Sequence, residues 1–145
     1  MKILVVDDER DIQPLFEQRF RREIRSGKVQ FEFAFSGEDA LKYLDKHGQE
    51  AVLILSDINM PGMSGLELLS RIKNNHYQPP PIVIMITAYG DKENYNIAKE
   101  LGADEFLTKP VDFNLLKQKL KIFTEAGVKM ITTAINYTNF VNEDF

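Results

Sequence analysis

The sequence predicts an α/β fold in which helices cover both faces of a parallel sheet. Four short apolar runs have the composition of strands that are buried on both faces, and a fifth segment alternates apolar and polar residues. Between these segments, apolar residues recur at helical spacing. Because parallel strands need crossover connections, the alternation indicates a three-layer sandwich with right-handed crossovers.

The predicted helices have start and stop signals. Ser36, with Asp39 three residues later, is the expected cap of the second helix, and Asp91 is the expected cap of the fourth. Glycines follow the helical segments and are expected to end them. The strands are expected at residues 3–6, 31–35, 52–55, 82–86 and 106–108, and the helices are expected to start near residues 12, 37, 66, 92 and 113.

Composition argues against several classes of function. The 145 residues include 18 basic and 22 acidic side chains and have a pI near 5.2, so we expect no direct nucleic-acid binding and no membrane association. No apolar stretch approaches the roughly 18 to 20 residues that cross a bilayer. Because the chain contains no cysteine and shows no signal sequence, we expect it in the cytoplasm.

The chain has the length of one domain, which we expect to occupy residues 1–126. Residues 127–145 are rich in Thr, Ile and Asn and are expected to form a tail or linker. Ile131, Ile135 and Val141 leave a second interpretation open, in which this segment is an extra helix for dimerisation or the start of an output domain.

Reactive side chains stand at the ends of four predicted strands. Asp7 and Asp8 follow the first strand, Asp57 the third, Thr87 the fourth and Lys109 the fifth. Taken singly, each is an ordinary cap, strand or surface residue. Because open α/β folds bind their ligands at the carboxyl ends of the strands, their shared position predicts a common site. Two carboxylates about 4 Å apart repel by roughly 4 kcal/mol at an effective dielectric constant of about 20, so the acidic trio is expected to bind a cation, best Mg²⁺.

Asp57 is the candidate nucleophile of this site. It stands alone at its strand end and precedes the turn-forming sequence Asn59-Met60-Pro61-Gly62, which exposes it. A carboxylate that attacks phosphorus forms an acyl phosphate, and the transition state spreads negative charge over three oxygens. Mg²⁺, the Lys109 ammonium and the Thr87 hydroxyl would each stabilise one of them.

At these residues the sequence resembles the receiver domain of bacterial two-component response regulators, over about residues 1–125. The most specific stretch is Asp57-Ile58-Asn59-Met60-Pro61-Gly62-Met63-Ser64-Gly65. The resemblance implies a flavodoxin-like, doubly wound sheet of five parallel strands in the order 2-1-3-4-5. That order would make the first and third strands neighbours and bring the acidic pair beside Asp57.

The resemblance also implies a role for each site residue. Asp57 would be the phosphoacceptor, with Thr87 and Lys109 as the hydroxyl and lysine that assist transfer. Mg²⁺ would be coordinated by Asp8 and Asp57, by the backbone carbonyl of Asn59, and through water by Asp7. Thr87 and Phe106 would form the switch that remodels the face of the fourth helix, fifth strand and fifth helix, while Asn59 and Tyr89 would line the path of attacking water.

The implied protein is a signalling domain that assists its own phosphorylation and slow dephosphorylation, not a turnover enzyme. Its expected partners are a histidine kinase or phosphotransfer protein and a downstream protein or covalently linked output domain. A homodimer through the face of the fourth helix, fifth strand and fifth helix is a further expectation.

Three other kinds of protein share features with this sequence, and the residues argue against each. A haloacid-dehalogenase-like phosphatase also uses an Asp nucleophile and Mg²⁺, but it needs a second Asp where this chain has Asn59, and Asn cannot exchange a proton. A degenerate receiver would lack some of the functional residues that are all present here. A flavin-binding domain would need a phosphate-cradling loop where this chain has Asp7-Asp8-Glu9-Arg10.

Overall fold

The protein contains a five-stranded parallel sheet in the order β2-β1-β3-β4-β5. The structure, a computed structural model, describes residues 1–47, 50 and 52–123. The strands are β1 (Lys2–Val6), β2 (Gln30–Ala34), β3 (Val52–Asp57), β4 (Ile82–Thr87) and β5 (Glu105–Thr108). All four strand pairings are parallel, so the predicted fold class and strand order are confirmed.

The predicted helices are present and the two expected caps form. Ser36 Oγ accepts the Asp39 N–H at 3.0 Å, and Asp91 Oδ1 accepts the Asn94 N–H at 3.2 Å. The helices are α1 (Ile12–Arg19), α2 (Arg21–Arg25), α3 (Gly37–His47), α4 (Gly65–Asn74) and α5 (Lys92–Glu100), followed by α6 at residues 113–123. Among the residues described, no helix combines the length and apolar character that spanning a membrane requires.

The first predicted helix differs from expectation because it is divided into α1 and α2. Phe20 lies between them with φ −106° and ψ 20°, outside the helical region, although its N–H still donates to the Phe16 carbonyl at 2.9 Å. The Phe20 ring is fully buried and lies 5.9 Å from Phe16 and 4.9 Å from Phe31. We attribute the break to this packing, which a helical pattern in the sequence does not reveal.

One face of the sheet carries a core shared with α3, α4 and α5. Leu4 and Val6 of β1, Ile54 of β3 and Met85 of β4 point to this side, as expected from the two-residue period of a strand. Leu44 of α3, Leu68, Leu69 and Ile72 of α4, and Ala98 of α5 complete the cluster. All of these side chains are at most 2% exposed. Because these side chains are buried together, the strands are held in register and each loop starts at a fixed position along the sheet.

The opposite face is covered by α1 through aromatic contacts. Phe16 of α1 lies edge-on to Phe31 and Phe33 of β2, with ring centroids 5.6 and 6.3 Å away. Phe16 is completely buried, whereas the neighbouring Leu15 is 37% exposed. The alternating phenylalanines of β2 therefore pack on this face of the sheet, against α1.

The chain divides into two units at Asp112, and α6 belongs to the second of them. Asp112 Oδ1 accepts the N–H groups of Asn114 and Leu115, so it caps α6. The domain boundary expected at residue 126 and the two interpretations of residues 127–145 fall outside the described residues and stay predictions.

We predict that Phe16→Ala lowers the free energy of unfolding by about 3–5 kcal/mol, because it opens a cavity in the aromatic cluster. Leu15→Ala is the matched control on the same helix turn and should cost about 1 kcal/mol or less. Urea unfolding followed by circular dichroism measures both values. Equal losses in the two variants would contradict the packing described here.

Candidate functional site

The parallel pairing brings the ends of β1 and β3 side by side. Val6 pairs with Ser56, so the next residues, Asp7 and Asp57, lie at the same level along the two strands. Asp7 is held by its backbone and its side chain, because its N–H donates to the Ala34 carbonyl at 3.1 Å. Its Oδ1 accepts the Glu9 N–H at 2.9 Å. The start of the β1–α1 loop is therefore ordered around this carboxylate.

Asp7, Asp8 and Asp57 form an acidic cluster. Each offers a carboxylate oxygen, and the three oxygens lie within 4.8 Å of one another. Asp7 and Asp57 are 4% and 3% exposed, while Asp8 is open to solvent. Oxygen ligands of this kind, partly open to water, suit a hard divalent cation that keeps some of its waters. The sequence prediction that these residues converge agrees with this geometry.

The charge of the cluster affects Asp7. Burial raises the pKa of Asp7, and the neighbouring charge of Asp57 raises the pKa further. The hydrogen bond from the Glu9 N–H and the charge of Lys109 act in the opposite direction without cancelling the effect. Ionised Asp7 is thus held at an energetic cost that a bound cation would relieve.

Lys109 supplies the positive charge of the site. Its Nζ donates to Asp57 Oδ2 at 2.8 Å, across 52 residues of sequence. Burial acts to lower the pKa of Lys109, but the hydrogen bond to Asp57 and the charges of Asp57 and Asp7 outweigh it and raise the pKa. Lys109 therefore stays protonated beside Asp57. The Lys109-Pro110 peptide bond is cis.

Thr87 lies at the end of β4, between β3 and β5. Asp57 pairs with Ile86, so Thr87 lies one residue beyond Asp57 along the sheet. Its backbone carbonyl accepts the Lys109 N–H at 2.9 Å, and its buried hydroxyl donates to the Leu107 carbonyl at 3.4 Å. Thr87 is therefore tied to β5 by both its backbone and its side chain.

The other expected site residues are less enclosed. Phe106 is half-buried against the core, and its ring centroid lies 4.3 Å from that of Tyr95 on α5. Asn59 is exposed in the loop after β3, and Tyr89 is 90% exposed in the loop after β4. Asn59 and Tyr89 therefore lie on loops that follow the strands of Asp57 and Thr87.

Gly65 shapes the loop after Asp57, and the sequence analysis assigned it no role. Its N–H donates to the Ile58 carbonyl at 2.7 Å. A β-carbon at Gly65 would overlap the Asp57 carbonyl oxygen and would lie 2.7 Å from Ile58 Cα. Ser64 caps α4 by accepting the Glu67 N–H at 3.2 Å. The sequence does contain a signal for this close contact. Glycine is a poor helix former, yet Gly65 stands directly after the cap residue Ser64, at the first position of the helix.

Comparison with known proteins identifies the family. The family model of the response regulator receiver domain matches residues 3–121. The chain belongs to this family. As a receiver domain it is a signalling module, and the comparisons give no support to the phosphatase alternative.

Two of its relatives are longer proteins. The chain is 30% identical over 140 residues to response regulator RppA of Synechocystis sp., covering 97% of this chain and 57% of RppA. It is 38% identical over 117 residues to response regulator protein PilR of Pseudomonas aeruginosa, covering 81% of this chain and 24% of PilR. The receiver domain thus spans less than two thirds of the length of both relatives.

The fold is also shared with solved structures. A response regulator receiver domain protein from Clostridium thermocellum superposes with a TM-score of 0.76 at 27% identity, covering 89% of this chain and 98% of that chain. This agreement supports the description of the fold given above.

We predict that Asp7→Asn stabilises the metal-free receiver domain. The change removes one buried negative charge while leaving an oxygen that can accept the Glu9 N–H. The expected gain is about 1 kcal/mol, a fraction of the roughly 4 kcal/mol between carboxylates 4 Å apart at an effective dielectric constant of about 20. Asp8→Asn, at the exposed member of the cluster, should give a smaller gain. Chemical unfolding in the presence of a chelator tests this, and a loss of stability in Asp7→Asn would refute it.

Proposed function

We propose that this receiver domain accepts a phosphoryl group on Asp57 from a histidine kinase or a phosphotransfer protein. The observation that carries the proposal is the pairing of Asp57 with Lys109 inside the cluster of Asp7 and Asp8. Such an arrangement places an anionic nucleophile beside an ammonium group and next to ligands for a cation. Phosphoryl transfer needs this combination of positioning and positive charge.

Mg²⁺ is the cofactor that we propose for this site. When all three carboxylates are ionised, one ammonium leaves two negative charges uncompensated, which matches a divalent cation. Asp8 and Asp57 would coordinate the ion directly, with the Asn59 carbonyl as a third ligand and Asp7 acting through water. Bound Mg²⁺ would neutralise negative charge on the phosphoryl oxygens.

The residues of the chain then have distinct tasks. A carboxylate oxygen of Asp57 attacks phosphorus, the bond from phosphorus to the donor nitrogen breaks, and the donor imidazole keeps the electron pair. Lys109 exchanges its contact with the free Asp57 carboxylate for a contact with a phosphoryl oxygen, whose negative charge it stabilises. Hydrolysis of the acyl phosphate later returns Asp57 to its free state, so the domain resets itself slowly without turning over a substrate.

Thr87 and Phe106 form the proposed switch. The Thr87 hydroxyl would exchange the Leu107 carbonyl for a phosphoryl oxygen. Movement of Thr87 would alter the packing of Phe106 against Tyr95, which joins β5 to α5. The face that includes α5 and β5 would then bind a downstream protein, a linked output domain or a second copy of the chain.

The proposed setting is the cytoplasm, where a kinase and its nucleotide are available. The acidic composition supports partners that are proteins, with no nucleic acid or membrane bound directly by this chain.

We predict that incubation with Mg²⁺ and acetyl phosphate adds one phosphoryl group to the wild-type protein and none to Asp57→Asn. Intact-mass spectrometry measures the addition. Asp45→Asn, the same chemical change on the exposed surface of α3, should be phosphorylated like the wild type. Phosphorylation of Asp57→Asn to the wild-type extent would exclude Asp57 as the acceptor.

We predict that Tyr89→Ala shortens the half-life of the phosphorylated protein severalfold. The Tyr89 side chain is 90% exposed and therefore free to turn over the phosphoryl group and restrict water. Tyr89→Phe keeps the ring and should retain most of the wild-type half-life. The decay is followed by intact mass after removal of the phosphodonor, and an unchanged half-life in Tyr89→Ala would reject the shielding role.

A further inference from the structure

Glu38, in the first turn of α3, contacts the loop that follows the proposed phosphoacceptor. We call residues 58–64 the β3–α4 loop. Glu38 Oε1 accepts the Met63 N–H at 3.1 Å, a hydrogen bond between residues 25 positions apart in the sequence. A carboxylate that accepts a backbone N–H makes one of the stronger hydrogen bonds in proteins. The start of α3 is thus joined to the β3–α4 loop.

The fit around this hydrogen bond is close. Gly62 has φ +71°, a conformation that favours glycine, and a β-carbon there would lie 3.2 Å from Glu38 Oε1. Met63 is buried, and a β-carbon at Gly37 would lie 2.8 Å from its sulfur. The loop therefore contacts α3 in two ways. The Met63 backbone N–H binds Glu38, and the Met63 side chain packs against Gly37.

The helix itself does not need the Glu38 contact as a cap. Ser36 Oγ already accepts the Asp39 N–H at 3.0 Å, which satisfies a free donor of the first turn. An acidic residue in the first turn favours the helix by its charge alone, and Asp39 provides a second such charge. The hydrogen bond from Met63 to Glu38 therefore holds the β3–α4 loop and is not needed to cap the helix.

The loop follows one proposed cation ligand, contains another, and leads into α4. Asp57 precedes it and Asn59 is its second residue, while the bond from the Gly65 N–H to the Ile58 carbonyl closes its base. Glu38 holds the far side of the same loop at Met63. Fixing both sides limits the orientations that the peptide groups of the loop can adopt.

We propose that Glu38 is a positioning residue for the cation site, acting through the β3–α4 loop to keep the Asn59 carbonyl in place for Mg²⁺. This inference rests on the proposed function, which makes that carbonyl a ligand. Outer residues that orient metal ligands typically contribute about 10- to 100-fold to affinity. Because Glu38 acts through a loop backbone, we expect the lower end of this range.

The test separates the hydrogen bond from the charge. Glu38→Ala and Glu38→Gln remove the same negative charge, but only Gln keeps an oxygen that can accept the Met63 N–H. Asp39→Ala removes the neighbouring charge in the first turn of the same helix. Glu38→Ser, too short to reach Met63, provides a second variant without the hydrogen bond. Unfolding midpoints establish that each variant is folded.

Mg²⁺ affinity of the unphosphorylated proteins is measured by isothermal titration calorimetry. We expect Glu38→Ala and Glu38→Ser to bind Mg²⁺ about tenfold more weakly than the wild type. Glu38→Gln and Asp39→Ala should stay within about twofold of it, because the loop contact remains. Phosphorylation by acetyl phosphate should need more Mg²⁺ in Glu38→Ala but reach the wild-type rate at saturation.

The two proposals fail differently. If the wild type binds Mg²⁺ and is phosphorylated while Glu38→Ala matches it in affinity, the positioning role of Glu38 is wrong and the proposed function stands. Equal weakening in Glu38→Ala and Glu38→Gln would also overturn it, because charge alone would then explain the effect. A wild type that neither binds Mg²⁺ nor takes up a phosphoryl group would instead refute the proposed function.

Discussion

Repulsion among three carboxylates at one edge of the sheet is the constraint on which this site depends. Asp7, Asp8 and Asp57 place oxygens within 4.8 Å of one another, and Lys109 neutralises only part of their charge. Burial makes the remaining charge costly, and burial and the charge of Asp57 raise the pKa of Asp7. The cluster could hold a divalent cation, and its uncompensated charge lowers the stability of the domain on its own.

Packing away from the site offsets the free energy that this repulsion costs. The aliphatic cluster on one face and the phenylalanine cluster on the other are almost fully buried. Each methylene group that is removed from water contributes about 0.8 kcal/mol, so a core of this kind offsets local repulsion between a few charges. Because the strands are held at fixed register by that core, their polar ends cannot move apart to relieve it.

Several elements were predictable because their signals are local. The apolar runs of β1, β3 and β4 show strands buried on both faces, and Ser36 and Asp91 cap helices as expected. The break at Phe20 was not predictable, because its cause is contact with Phe31, a residue on another element. The hydrogen bond between Glu38 and Met63 was not predictable for the same reason, since Met63 lies 25 residues away in the sequence.

The chemical groups that end each strand can be read from residue order, because residue order and strand periodicity are local properties of the chain. The resemblance to receiver domains implied the strand order, and the strand order says which of these groups lie next to one another. Three further features are visible only in the folded chain: Lys109 reaches Asp57 at 2.8 Å, the Thr87 hydroxyl donates to the Leu107 carbonyl, and Gly65 must lack a side chain. Such distances depend on how separate elements pack, and no pattern along one segment contains that information.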